Sequence, residues 1–217
     1  LTDAAVMAEL CEGASAIVHF GGINGEKPFE TILSGNIVGT HTIFEAARRN
    51  GARVVYASSN HVVGFYPRDA RLDIEAAPRP DGLYGVSKVF GEALGRLYFD
   101  KYGVESVHLR IGSCLPAPTD ERTLSTWLSY GDLIRLVAAA LDAGRTDFAT
   151  VWGVSANTRS WWRDDDAARI GFTPEDNAEA YAGGVGPGSS DPIAQRFQGG
   201  PICVIGYDRR MAGAGRP

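Results

Sequence analysis

The sequence predicts an α/β protein built on a doubly wound parallel sheet, because three short apolar runs alternate with two long amphipathic segments. The runs are 16–20, 53–57 and 106–111, each as long as a typical buried strand and each followed by small or polar residues. Between them, 28–50 and 83–102 place apolar residues near a 3.6-residue period, which indicates helices. Strand, helix, strand, helix, strand with short links is typical of right-handed parallel βαβ units.

The ends of the two helices are marked by their residues. Pro28 suits the first turn of a helix, and Gly51 follows two arginines as a stop signal. The second helix begins near Leu83 and ends around Gly103. The stretch 66–80 between them holds three prolines and mixed charges, so we expect a surface connection there.

The pattern becomes looser after Pro118. A helix is predicted over 132–141 and a strand over 148–154, followed by a Trp161-Trp162 segment, and the last 40 residues are rich in Gly and Pro. Neither a repeat nor a linker is evident. We therefore expect one domain over 1–217, in which about 115–217 form a smaller lobe.

Composition and charge exclude several classes of protein. Lys and Arg number 21 against 26 Asp and Glu, giving a net charge of −5, and the basic residues are scattered, which disfavours nucleic acid as a partner. No apolar run approaches the roughly 18 residues of a membrane span, and no signal peptide is visible, so we expect no membrane partner and a cytoplasmic location. The three cysteines are widely spaced without a CxxC, which predicts neither a disulfide framework nor a metal site.

Tyr84 and Lys88 carry the clearest chemical signal. They lie four residues apart on a predicted helix, so they project from one face with Cβ atoms roughly 6 Å apart. A tyrosine with an ordinary pKa near 10 becomes a general base around neutral pH only if a cation lowers its pKa, which Lys88 could do. The alternative is an ordinary exposed pair on an amphipathic helix.

Polar residues follow two of the predicted strands. Ser58–His61 come after the second strand, and Gly112–Cys114 come after the third. In open parallel sheets, ligands bind beyond the carboxyl ends of the strands, so the two stretches and the Tyr84 helix form a converging set. The alternative is that these residues only form turns, since Ser, Asn and Gly are also common where a strand ends.

Five stretches together resemble the extended short-chain dehydrogenase/reductase superfamily and, within it, the uronate dehydrogenases. The likeness runs from about Leu1 to Gly200, and the stretches are Ser58–His61, Arg79–Lys88, Arg110–Cys114, Leu124–Trp127 and Arg196–Gly200. It implies a Rossmann-like, NAD-binding fold whose C-terminal lobe binds the substrate. It also implies that Tyr84 is the catalytic base, that Lys88 lowers the pKa of Tyr84 and binds the nicotinamide ribose, and that Ser59 orients the substrate.

The resemblance implies two further sets of residues. The substrate-binding set is Asn60, His61, Ser113, Arg122 and, less strongly, Asn24; the cofactor-binding set is Gly21, Gly22, Ile111 and Cys114, together with Tyr84 and Lys88. Arg122 falls where the family grips a substrate carboxylate, a task that suits a planar guanidinium. Without the resemblance, Arg122 would be a solvent-facing loop arginine beside Asp120 and Glu121.

The activity implied is NAD-dependent oxidation of a hexuronic acid, glucuronate or galacturonate, at C1 to an aldarolactone. The partner is then a small-molecule uronic acid, and a homo-oligomer is expected in which the two long helices could pair. Two alternatives stay open. One is an NAD-dependent nucleotide-sugar epimerase or dehydratase, and the other is a non-catalytic member of the fold.

The chain departs from the superfamily at its start. Members begin with a strand and a glycine-rich turn that brings the backbone to the pyrophosphate, and neither precedes the 16–20 run here. The stretches 183–186 and 213–215 are glycine-rich but lie in the irregular C-terminal part, where we expect loops. We expect a preceding segment of about 50 residues, of a size that completes an ordinary domain, and without it the 16–20 strand becomes an exposed edge.

Overall fold

The computed structural model describes residues 1–208 and 210; the glycine-rich stretch 213–215 lies outside the described residues. The helices and strands, in chain order, are α1 (Ala4–Leu10), β1 (Ala16–His19), α2 (Phe29–Ile32), α3 (Gly39–Asn50), β2 (Arg53–Ser59), α4 (Leu83–Tyr102), β3 (Ser106–Ile111), β4 (Ser113–Cys114), α5 (Thr123–Thr126), β5 (Trp127–Leu128), α6 (Tyr130–Asp142), β6 (Phe148–Gly153), α7 (Ala167–Ile170) and α8 (Pro192–Arg196). Short 3₁₀ turns cover Asn60–Val63, Ala178–Tyr181 and Gly200–Val204.

Four strands form a parallel sheet in the order β1-β2-β3-β6, which confirms the predicted fold class. In its register, Ala16 lies opposite Arg53, and Val54 lies opposite Ser106. Strand β1 is an edge of the described sheet, and the residues Val18 and Phe20 are 44% and 43% exposed. Because all four strands run in the same direction, the polar residues that follow them meet at one end of the sheet, as the sequence predicts.

Helices cover both faces of the sheet. Because side chains alternate along a strand, Val54 faces a cluster with Phe44 of α3 and Leu94 of α4, whereas Val55 faces a cluster with Leu136 of α6. All of these side chains are buried. Burial on both faces explains why the parallel strands are continuous apolar runs rather than alternating ones.

A third apolar cluster includes part of the 66–80 segment. Leu72 is buried against Trp161 and Trp162, its amide donates to the Trp161 carbonyl oxygen at 3.1 Å, and its carbonyl oxygen accepts from Arg163 N at 3.0 Å. The other residues of 66–80 are exposed or half-buried, as a surface connection predicts, and Leu72 is the exception. A single leucine among charged residues carries no periodic signal, so tertiary packing decides its place.

Several predicted boundaries also shift. The 28–50 helix is interrupted by a π-helical turn at Leu33–Val38, β2 continues through Ser59, and the predicted loop at Ser113–Cys114 is a short strand paired with β5. Helix α6 begins at Tyr130, because the Ser129 hydroxyl accepts from Asp132 N at 2.8 Å and caps it. Among the described residues, no helix is long and apolar enough to cross a membrane.

Candidate active site

A pocket of about 270 Å³ opens at the carboxyl ends of β1, β2 and β3. Nine of the residues predicted as candidates line it: Gly21, Gly22, Asn24, Ser59, Asn60, His61, Tyr84, Lys88 and Ile111. The remaining three candidates, Ser113, Arg122 and Cys114, do not line this pocket. The structure therefore brings side chains from the β1 loop, the end of β2, helix α4 and the end of β3 to one place.

Helix α4 carries Tyr84 and Lys88 and is fixed by two contacts near its first turn. A Cβ at Gly85 would lie 2.5 Å from the His61 carbonyl oxygen, so only glycine allows this approach of helix to turn. The Glu26 carboxylate accepts from Leu83 N and Tyr84 N, both at 3.0 Å, and so caps the helix with a negative charge. Glu26 lies in a loop 57 residues earlier, where no local sequence signal points to this role.

Tyr84 and Ser59 form the reactive end of the pocket. Burial raises the pKa of Tyr84, a hydrogen bond with Ser59 opposes that effect, and the nearby Asp81 charge raises it further. Ser59 Oγ accepts from His61 N at 3.2 Å, which leaves its proton free to be donated to the phenol oxygen. Ser59 is therefore one group that favours the phenolate form of Tyr84, in addition to the Lys88 cation to which the sequence pattern assigns that effect.

Lys88 is buried beneath the pocket. Its ammonium donates to the Ala57 carbonyl oxygen at 2.7 Å and lies 5.5 Å from the Tyr84 ring centroid. Burial lowers the pKa of Lys88 to about 8. Two of its three N–H groups are not used by this bond, so the ammonium can also donate to a ligand in the pocket.

Behind the pocket wall, Arg122 connects the C-terminal part of the chain to Asn60. We orient the Asn60 amide by its neighbours, so that it donates to the Ile111 carbonyl oxygen at 3.1 Å and accepts from Arg122 Nη2 at 3.2 Å. Arg122 also donates to the Gln198 carbonyl oxygen at 2.9 Å and to Ser113 Oγ at 3.3 Å. The guanidinium points inward, so the alternative of a solvent-facing loop arginine is wrong.

The charge of Arg122 has no carboxylate partner within salt-bridge distance in the part of the chain that the structure describes. Burial lowers the pKa of Arg122 to about 10, and Arg68 adds to this effect, while Asp120 and Asp81 oppose it. A guanidinium with this pKa is still charged near neutral pH. A half-buried cation held only by neutral acceptors is a site that favours an anion.

The loop after β1 supplies a backbone wall. Gly22 has φ of +132°, a conformation that side chains rarely adopt, and a Cβ there would lie 2.9 Å from Asn36 Oδ1. Gly21 and Asn24 are exposed beside it.

Cys114 is half-buried on β4, and burial raises the pKa of its thiol, so it is not a reactive thiolate.

Asn36 supports the pocket loop and was not among the residues predicted from the sequence. From the π-helical turn, its amide accepts from Ile23 N at 2.7 Å and donates to Ile23 O and Ser87 Oγ, both at 3.0 Å. The Ser87 hydroxyl in turn donates to the Tyr84 carbonyl oxygen at 2.6 Å. Asn36 thus ties the pocket loop to α4. A π-helical turn within a helix often occurs at functional sites, but it leaves no mark on apolar periodicity.

Gln198 lies in the stretch Arg196–Gly200 that carries the family resemblance, but the sequence assigned it no role. Its buried side chain accepts from Trp162 Nε1 at 2.8 Å and donates to the carbonyl oxygens of Pro67 and Ala70 at 3.1 and 3.0 Å. These bonds fix the segment whose backbone holds Arg122. Two residues later, Gly200 has φ of +64°, and a Cβ there would lie 2.6 Å from Arg122 Nε, so the guanidinium packs against a position without a side chain.

The parallel sheet, the tyrosine and lysine on α4 and the serine at the end of β2 agree with a comparison to family models. The model described as the NAD dependent epimerase/dehydratase family matches residues 1–173. The chain belongs to this family. This match confirms the membership of the epimerase/dehydratase superfamily that the sequence resemblance implies.

Proteins similar to the chain include sugar dehydrogenases. A uronate dehydrogenase from Agrobacterium fabrum is 48% identical over 206 residues, which are 92% of this chain and 77% of that protein. An NAD-dependent glucose-6-phosphate dehydrogenase from Haloferax volcanii is 36% identical over 199 residues, which are 83% of this chain and 76% of that protein.

A solved structure in the same family has a closely similar fold. The crystal structure of a uronate dehydrogenase from Agrobacterium tumefaciens, a tyrosine-to-alanine mutant complexed with NAD, matches with a TM-score of 0.89 and 46% identity. The match covers 94% of this chain and 78% of that one. The chain thus spans about three quarters of the length of these family members.

Proposed function

We propose that the protein is an NAD-dependent dehydrogenase that oxidises a hexuronic acid, glucuronate or galacturonate, at C1 to an aldarolactone. The observation that carries the proposal is the inward-facing, half-buried Arg122 guanidinium, which no carboxylate in the described residues neutralises and which donates to the pocket residue Asn60. A substrate carboxylate supplies the missing charge and can accept two parallel hydrogen bonds. The uronate dehydrogenases at 44–48% identity support this substrate class.

In the proposed reaction, the substrate loses one proton and one hydride. Tyr84 takes the proton from the C1 hydroxyl, and the C1–H bond breaks with its electron pair. The ring oxygen stays bonded to C1, so C1 becomes the carbonyl carbon of a lactone. NAD⁺, when bound, supplies the acceptor for that hydride.

The chain's residues have separate tasks in this proposal. Ser59 donates to the Tyr84 oxygen and so favours its phenolate form. Lys88, held by Ala57, adds a positive charge below the phenol ring and donates to the ribose. Arg122, supported by Ser113, holds the carboxylate, and Asn60 and His61 contact the sugar hydroxyls.

The residues present fit a bound nicotinamide nucleotide. The Gly21-Gly22 backbone is exposed at the pocket with no side chain to keep a ligand away, and Lys88 keeps two N–H groups free. Ile111 offers an apolar surface at the same opening. We propose that Gly21, Gly22, Lys88 and Ile111, together with Tyr84, bind the cofactor. Cys114 is a weaker candidate, because it lies outside the pocket lining.

The proposal is tested by measuring NADH formation with glucuronate and galacturonate beside glucose, galactose and glucose 6-phosphate. We expect turnover with the uronates and at most a trace with the neutral sugars. Equal turnover with neutral sugars would show that the enzyme does not recognise the substrate carboxylate. Turnover with glucose 6-phosphate alone would favour the activity named for the Haloferax relative. No turnover in a sample that binds NAD⁺ would favour an epimerase, a dehydratase or a non-catalytic member of the fold.

Three expectations from the sequence stay predictions. They are the single domain over 1–217 with its substrate lobe from about 115, the cytoplasmic location and the homo-oligomer. Exposed apolar side chains on α4, such as Val86 and Leu97, are compatible with helix pairing between copies. Light scattering of the purified protein measures the oligomeric state directly.

A further inference from the structure

A buried carboxylate on the loop before α4 holds one nitrogen of the pocket histidine. Asp81 Oδ2 lies 2.6 Å from His61 Nδ1. The Asp81 side chain is fully buried, whereas 16% of the His61 side chain stays exposed. His61 lines the pocket with its ring edge-on to Tyr84, the two ring centroids being 5.8 Å apart. The pair thus connects the protein interior with the site of proton transfer.

Two glycines pack so closely against this carboxylate that neither position has space for a side chain. A Cβ on Gly64 would lie 1.9 Å from Asp81 Oδ2, and a Cβ on Gly199 would lie 1.8 Å from the same oxygen. Cys203 Sγ, whose thiol is kept protonated because burial raises its pKa to about 12, approaches that oxygen at 3.7 Å. The chain therefore leaves space for a carboxylate at this position.

A purely structural ion pair accounts poorly for this arrangement. Asp81 Oδ1 is buried and has no hydrogen-bond partner among the described residues. Leaving a carboxylate oxygen in this state costs free energy that an apolar residue would not cost. A buried carboxylate with one unpaired oxygen, whose other oxygen faces a single ring nitrogen, indicates a role in setting the protonation of that nitrogen of His61.

An ionised carboxylate can only accept hydrogen bonds, so the nitrogen facing it must carry the proton. In a neutral imidazole with a proton on Nδ1, the other nitrogen, Nε2, is an acceptor. We propose that Asp81 is a positioning residue that holds His61 in the Nδ1–H tautomer, so that Nε2 accepts a hydrogen bond from a substrate hydroxyl. This role deepens the proposed function and rests on it for the identity of the hydroxyl donor.

The tautomer itself can be measured without substrate or cofactor. In protein labelled with ¹⁵N-histidine, the ring-nitrogen chemical shifts at about pH 8, above the ordinary pKa of histidine, distinguish protonated from unprotonated nitrogens. His61→Gln assigns the signals. We expect Nδ1 protonated and Nε2 unprotonated. Protonation at Nε2 alone, or at both nitrogens, would overturn the proposal whatever the enzyme's substrate.

A variant then connects the tautomer to binding. We expect Asp81→Asn to populate the Nε2–H tautomer and to raise KM for the uronate about tenfold, the effect of one lost hydrogen bond, with a smaller change in kcat. Asp132→Asn is the matched control, because Asp132 is another buried carboxylate, held by Glu175 N and Asp176 N outside the pocket. It should change neither the His61 tautomer nor KM.

An unchanged tautomer and KM in Asp81→Asn would refute the positioning role. If that variant fails to fold, the wild-type spectrum alone decides the question. If the wild-type spectrum is as expected but no sugar is turned over, the proposed function fails while the Asp81–His61 relationship stands. The two failures are therefore distinguishable.

Discussion

The Lys88 ammonium donates to the Ala57 carbonyl oxygen at 2.7 Å, which joins α4 to β2 two residues before Ser59. The bond brings a cation into the interior, where burial lowers the pKa of Lys88 from 10.5 to about 8. Between these two pH values the unfolded chain keeps the proton that the folded chain has lost. This difference makes the stability of the protein depend on pH in a defined direction.

We expect the contribution of Lys88 to the free energy of unfolding to rise from about pH 8 to about pH 10, because the unfolded state binds more protons in that window. Urea unfolding of wild type and Lys88→Met at several pH values measures it. The stability difference between them should shift in favour of wild type as pH rises. Lys101→Met, at an exposed position on α4, is the control and should show a flat difference. A flat or falling difference for Lys88→Met would show that Lys88 is not buried as described.

Tyr84→Phe removes the proposed proton acceptor and keeps the ring. We expect NADH formation with a uronate to fall by at least about 100-fold, the usual contribution of a general base. The affinity for NAD⁺, measured by calorimetry, should fall by no more than about tenfold, the effect of one lost hydrogen bond to the cofactor. Tyr130→Phe, at an exposed position, should retain full activity. Near-normal turnover in Tyr84→Phe would remove Tyr84 from the mechanism.

Arg122→Lys keeps the positive charge but loses the planar fork that donates to Gln198, Ser113 and Asn60. We expect KM for glucuronate or galacturonate to rise by about tenfold or more, since a bidentate charge-assisted contact is replaced by a single one. Steady-state kinetics measure this effect. Arg159→Lys, in an exposed ion pair with Glu179, is the matched control and should leave KM unchanged. Equal KM values for both variants and wild type would place the carboxylate elsewhere.

Gly200→Ala tests the support of Arg122. Gly200 and Gly206 both have positive φ, +64° and +70°, but a Cβ on Gly206 meets no atom within 4 Å, whereas one on Gly200 meets Arg122 Nε at 2.6 Å. Both alanines strain the backbone by about 1 kcal/mol. Only Gly200→Ala should also raise KM for the uronate. The same kinetic behaviour in both variants would argue against the contact between Gly200 and Arg122.

The sequence was sufficient for the central sheet and for the residues nearest the chemistry. Runs such as 106–111 are buried on both faces, so their apolar composition is a local signal of a long-range structure. Tyr84 and Lys88 are four residues apart on a helix, and this spacing alone places them on one face. Their convergence with Ser59 follows from the rule that parallel strands end at one edge of the sheet.

The supporting residues could not be predicted in the same way. Asn36, Glu26 and Asp81 reach the site through contacts with residues 13 to 58 positions away. Asn36 and Glu26 stand in no recognisable local pattern, and Asp81 lies within the stretch Arg79–Lys88 without any sequence signal for its contact with His61. The inward orientation of Arg122 depends on Gln198, 76 residues later. The pKa of Tyr84 depends on burial as well as on neighbouring charge, and burial is a property of the folded chain.

The most direct test of the central claim follows the hydride itself. The protein is incubated with NAD⁺ and a hexuronic acid deuterated at C1, and the reduced nucleotide and the sugar product are analysed by mass spectrometry. The account predicts that one deuterium per turnover appears in the reduced nucleotide and that the sugar product is the lactone. Deuterium retained in the sugar, or a reduced nucleotide without deuterium, would contradict oxidation at C1.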